Sequence, residues 1–294
     1  MAKIRIFTDT NADLPRDICE TYDIEYFKMC TVCDGVVTPC DTDFDAYGGA
    51  HAYYALLREG KRITTTQVPV EAFRRGFTEC LEAGDTAIYI GNALPLSSSV
   101  NTAAVVARDL LATYPDGKIY CIDSKNTCFG EGMLVIMAAQ MRNEGKSAEE
   151  IVTAVEQKRF FVNQYVTVGS LDMLKKSGRV KGSAAFFGNL LGVKPILISD
   201  VDGQIVPILK VKGRNASLDK LVELVGESVI SPETQTVYIS HADCPTAAEY
   251  LKEKLMALGF ADARIGYIGG VVGACIGPDA VGVWCFGKEV TLKV

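Results

Sequence analysis

The first half of the chain repeats one pattern: a short apolar run rich in β-branched residues, a loop of Thr, Ser, Asp or Asn, then apolar residues three or four apart. Residues 3–7, 86–90 and 119–122 are the three runs. A brief apolar run bounded by turn residues predicts a buried strand, and helical spacing after it predicts a helix with one face on a core. Strands alternating with helices build a parallel sheet, because a parallel neighbour is reached only through a long crossover. The same spacing predicts helices over 43–58, 70–83, 100–111 and 133–144, and one ending near residue 22 carries Pro15 in its first turn. Asp34-Gly35 predicts a hairpin turn between 26–32 and 36–38. Ser147 and Glu150 form a capping box that opens a further helix.

The second half changes character. Residues 165–169, 195–199, 205–211, 236–240, 263–269 and 282–286 predict six strands, two of them joined by the turn Asp200-Val201-Asp202-Gly203. Helices are expected over 171–176, 183–191, 218–229 and 246–258. The expected fold is α/β in two lobes: a parallel, Rossmann-like sheet in residues 1–160 and a mixed sheet in residues 161–294.

Composition narrows the function. The 294 residues carry a net charge of -6, which disfavours nucleic acid and anionic membrane as main partners. No apolar run approaches the roughly 18 residues of a membrane span, so no stable membrane insertion is expected. The N-terminal run is too short for a signal peptide, and the expected location is the cytoplasm. The ten cysteines are expected to be reduced. Cys30 and Cys33 form one CxxC with Cys40 nearby, but the only histidines are His51 and His241, so no metal and no cofactor is expected.

Six stretches carry candidate chemistry. Residues 64–67 and 92–99 bring hydroxyls and backbone N–H groups to helix starts, where a carboxylate or phosphate is favoured. Asp9 and Asp13 share one loop, where two carboxylates can serve a small phosphatase or hydrolase, but their spacing of four does not fit the aspartate pair of a haloacid-dehalogenase phosphatase. Residues 175–182 form a basic turn in an acidic chain. Residues 183–191, with Phe186, Phe187, Leu190 and Leu191, are apolar nearly all round, as a buried or cavity-lining helix is. Residues 268–278 are glycine-rich, which suits close backbone approach. No GxSxG nucleophile elbow is present.

Seven segments then occur in a telling order: Phe7-Thr8-Asp9-Thr10-Asn11-Ala12-Asp13-Leu14-Pro15, Thr65-Thr66-Gln67, Ile122-Asp123-Ser124-Lys125, Leu174-Lys175-Lys176-Ser177-Gly178-Arg179, Leu191-Gly192-Val193-Lys194-Pro195-Ile196-Leu197, His241-Ala242-Asp243, and the run ending Gly277-Pro278. Together they resemble the DegV family, the fatty-acid-binding subunits of bacterial fatty acid kinase. The resemblance implies a long-chain fatty acid of roughly fourteen to eighteen carbons in a cleft between two lobes, without catalysis by this chain, and a kinase subunit as partner. It implies head-group contacts from Thr65, Thr66 and Arg179, from the loop Gly91-Asn92-Ala93-Leu94, and from Gly273-Ala274-Cys275, with the acyl chain along Phe186, Phe187, Leu190 and Leu191. Two positions depart from the family pattern: Gly91-Asn92 stands for a Ser-Ser pair, and Cys275 for a histidine. A cysteine does not supply a histidine's proton or charge, so the resemblance carries acid binding further than phosphoryl transfer. The rival readings are the hydrolase built on Asp9 or Asp13 and a protein-interaction module whose cleft is vestigial.

Overall fold

The computed structural model describes residues 3–182 and 192–294; the predicted apolar helix over 183–191, and with it Phe186, Phe187, Leu190 and Leu191, lies outside the described residues. The first half runs β1 (Ile4–Asp9), α1 (Arg16–Thr21), β2 (Ile24–Phe27), β3 (Cys30–Cys33), β4 (Val36–Pro39), α2 (Ala50–Arg58), β5 (Ile63–Thr66), α3 (Val70–Glu82), β6 (Thr86–Gly91), α4 (Ser99–Leu111), β7 (Lys118–Asp123), α5 (Phe129–Asn143) and α6 (Ala148–Lys158). The second half continues with β8 (Val162–Thr167), α7 (Leu171–Ser177), β9 (Val193–Ser199), β10 (Ile205–Lys212), α8 (Arg214–Ser228), β11 (Thr236–His241), α9 (Pro245–Met256), β12 (Asp262–Tyr267), α10 (Gly270–Ile276) and β13 (Val281–Phe286).

Three sheets result. A four-stranded sheet has the order β2-β1-β6-β7 with every pair parallel, as the strand–loop–helix repeat predicts. A six-stranded sheet has the order β10-β9-β8-β13-β11-β12 and is mixed, only β11 and β12 pairing in parallel. A small antiparallel sheet, β4-β3-β5, stands apart from both. The chain is thus a two-lobed α/β protein.

Helix α5 joins the lobes. It touches β1 and β6 of the first sheet and β8, β11 and β13 of the second. Residues 129–136 are all buried, which a helix covered on two opposite faces requires. The far face of the second sheet is covered by α8 and α9, whose Leu218, Leu221, Leu251 and Leu255 form a separate core with Ile239 and Val283.

Local differences from the sequence expectation have readable causes. The stretch 26–32 divides, its first part lying parallel to β1 and its second pairing with β4 and β5 in the small sheet. The helix expected over 43–58 begins only at Ala50, because Gly48 and Gly49 take φ of 73° and 108°. The threonines 64–66, expected in a loop, form β5, as β-branched residues favour. Residues 270–276 of the glycine-rich run are helical. No helix among the described residues is long and apolar enough to cross a membrane.

Candidate functional site

A cavity with about 750 Å³ of free space, its opening included, is lined by residues of both lobes. Its apolar floor comes from the second sheet, where Val166, Leu197 and Trp284 meet it. Trp284 crosses its own strand because residue 282 is glycine: a Cβ there would lie 2.5 Å from the indole and 2.8 Å from Val166. Leu174, Val272 and Ile276 add apolar wall from α7 and α10.

The polar side comes from the small sheet and the loops. Along β5, Ile63 is buried, Thr64 and Thr66 are exposed, and Thr65 is half-buried. Alternation thus turns Thr65 alone of the three threonines toward the cavity. Cys275, near the end of α10, is pushed up in pKa by burial, opposed by the charge of Arg179 and by hydrogen bonding to Thr65. Thr65, Arg179 and Cys275 therefore converge on one part of the wall. Arg179 follows the left-handed Gly178 that ends α7 and donates to the Ser177 carbonyl.

Asn92 also lines the cavity; it is buried, and its Oδ1 has no hydrogen-bond partner. Its neighbours hold the loop instead of the lining. Gly91 leaves room for the Tyr89 hydroxyl, which a Cβ would approach to 2.3 Å. Ala93 N donates to the Asn126 carbonyl at 3.0 Å, and Leu94 N to Asp123 Oδ1 at 3.3 Å. Gly273 and Ala274 are buried in α10 and Thr66 points outward, so among the described residues none of these six, Gly91, Ala93, Leu94, Gly273, Ala274 and Thr66, forms the wall.

Behind the wall lies a buried acidic network. Asp9 accepts from the Tyr89 hydroxyl at 2.6 Å and from Asn11 N at 2.9 Å. Glu131 accepts from Thr8 Oγ1 at 2.9 Å and from Asn11 Nδ2 at 3.2 Å. Burial and the nearby Asp9 charge hold Glu131 well above the usual carboxylate range. Asp13 accepts from Gly269 N at 2.9 Å and so ties the loop after β1 to the start of α10. Burial lifts its pKa to about 7, against the pull of Cys128 and Gly269 N and with the help of the Asp9 charge. Asn11, held by Glu131 and Thr127, is the member of the network that lines the cavity. Among the described residues no three acidic, His or Cys side chains are grouped to hold a metal ion.

Sequence reasoning passed over several wall residues. Trp284 and Gln164 face each other across β13 and β8, and nothing in an apolar strand pattern marks which face meets a cavity. Thr127 and Cys128 precede α5, where Cys128 takes φ 53° and ψ -141°, a conformation costly for a residue with a Cβ.

A family model described as "Uncharacterised protein, DegV family" matches residues 3–288. The chain belongs to the DegV family. It is 36% identical to a DegV domain-containing protein of Clostridium perfringens, with 98% of each chain covered. Among solved structures, DegV of Bacillus subtilis, described as a fatty acid binding protein, matches with a TM-score of 0.82 and 25% identity over 97% of this chain and 100% of that one. A stearic-acid-binding protein of Eubacterium ventriosum matches with a TM-score of 0.85 and 22% identity over 98% of this chain and 99% of that one.

Proposed function

We propose that this DegV-family chain binds a long-chain fatty acid in the cavity between its lobes and carries or presents it, with the loops of residues 1–160 and Arg179 on the head-group side and the sheet of residues 161–294 on the acyl side. The observation that carries the reading is one cavity with an apolar floor of Val166, Leu197 and Trp284 and a polar wall at Thr65, Asn92 and Arg179. Each buried methylene contributes about 0.8 kcal/mol, so the chain supplies most of the affinity. The few polar groups set its direction. The carboxylate is assigned to Thr65, Asn92 and Arg179. That the relatives of Bacillus subtilis and Eubacterium ventriosum are described as binding fatty acid supports the same reading. The family resemblance adds a kinase subunit as recipient, and Cys275 in place of histidine makes binding the firmer half of the proposal.

The test is to purify the protein without added lipid, denature it and identify the released small molecules by mass spectrometry. Near-stoichiometric fatty acid is the expected result. No lipid, followed by no uptake of added stearic acid, would overturn the proposal.

A further inference from the structure

We propose that the second lobe carries a separate site for a phosphate group, free or on a small molecule, where Lys194 and Arg214 line a pocket between the starts of α8 and α9. This pocket has about 1180 Å³ of free space, its opening included, and shares no lining residue with the fatty-acid cavity. Asp243 and Cys244, just past the C-terminal end of β11, line it, and β11 pairs in parallel with β12. Ligands of α/β sheets gather beyond such strand ends, where a helix begins with unpaired N–H groups. Here two helices begin at one pocket. Asn215 in the first turn of α8 and Thr246 in the first turn of α9 both line it. Neither helix has a side-chain cap, and neither carries an acidic residue in its first turn. Their positive ends are therefore not offset by their own sequence.

The two cations carry the argument, and the helix starts add to it. Lys194 Nζ donates to the Gly169 carbonyl at 2.5 Å, which leaves two of its three donors for a ligand. Arg214 is the first residue of α8, a place where a positive charge is unfavourable unless an anion answers it. Its Nη2 lies 3.5 Å from Cys244 Sγ, a weak acceptor, and its Nη1 has no hydrogen-bond partner. Among the described residues neither cation has a carboxylate partner. The two carboxylates of the pocket, Asp243 and Asp279, are already joined to Arg58 of α2, and Asp243 also to His51. The charge left over is positive, in a protein whose net charge is -6. Phosphate suits this arrangement, because its oxygens can meet an ammonium, a guanidinium and helix N–H groups at once, whereas a carboxylate has only two oxygens to share.

The intact protein would be titrated by calorimetry with inorganic phosphate, glycerol 3-phosphate and acetate, with ionic strength held constant by chloride. Saturable phosphate binding is expected, and acetate should bind more weakly. Arg214→Gln and Lys194→Gln should each weaken phosphate roughly tenfold or more, since each removes a hydrogen bond between charged groups. Tighter binding of glycerol 3-phosphate would identify a phosphate ester as the ligand class, and tighter binding of inorganic phosphate the free ion. Phosphate should also raise the urea midpoint of the unaltered protein and leave that of the double variant in place, a measurement that shows at the same time that the variant folds. Absence of saturable binding by either phosphate, acetate binding as tightly as phosphate, or binding that both substitutions leave unchanged would overturn the assignment.

Discussion

At the scale of single residues, two neighbours with the same side chain should behave differently. Thr65 is turned to the cavity and Thr66 to solvent. A hydrogen bond to a carboxylate contributes about 1.5–3 kcal/mol, so Thr65→Val should weaken stearic acid binding about tenfold or more. Thr66→Val should leave it unchanged, and titration by tryptophan fluorescence decides between them. Asp13 gives a second prediction, in pH. Its folded pKa of about 7 stands above the unfolded carboxylate value of 3.8. Between these values the unfolded state has released the proton and the folded state has kept it. The unfolded state binds fewer protons there, so stability falls as pH rises through that window. The slope from this group approaches about 1.4 kcal/mol per pH unit. Asp13→Asn should flatten it, measured by urea denaturation at a series of pH values; an unaltered slope would show that another group carries the dependence.

At the scale of elements, α10 depends on close approach. Tyr54 of α2 donates to the Ile268 carbonyl at 2.5 Å and Tyr53 to that of Gly270 at 2.6 Å. A Cβ on Gly273 would sit 2.6 Å from the Tyr54 hydroxyl, which that hydrogen bond holds in place. Gly273→Ala should therefore cost about 1–3 kcal/mol, as overpacking does. The urea midpoint reports it, and an unshifted midpoint would mean that α2 yields freely. Because α10 also carries Cys275, the same change should disturb the polar wall.

At the scale of the molecule, the lobes share a core. One continuous cluster contains Ile88 and Ile122 of the first sheet, Leu134 of α5, and Val166, Leu197 and Trp284 of the second. Arg58 of α2 adds bonds across the lobes, to Asp243 at 2.5 Å and to Asp279 at 3.0 Å. Partly exposed ion pairs contribute little, so the shared core decides. The protein should unfold in a single transition, with calorimetric and van't Hoff enthalpies equal. Two separate transitions would show that the lobes fold independently.

Whatever depends on local order was legible in the chain of residues. Strand–loop–helix alternation specified the parallel sheet, because the period of apolar residues sets strand or helix and the crossover sets direction. The turn at Asp200-Val201-Asp202-Gly203 announced the β9–β10 hairpin, and the order of the seven segments announced the family. Tertiary structure alone decided what depends on register and on distant contacts. Which threonine of β5 faces inward follows from its pairing with β3, since a slip of one residue reverses every side chain. The division of 26–32 between two sheets follows from two distant partners competing for one apolar run. Gln164 and Trp284 meet because strands 120 residues apart are neighbours, and only the coverage of one sheet face by α8 and α9 leaves the other to floor a cavity. Local sequence carries the period of a strand, but not the identity of what lies against its two faces.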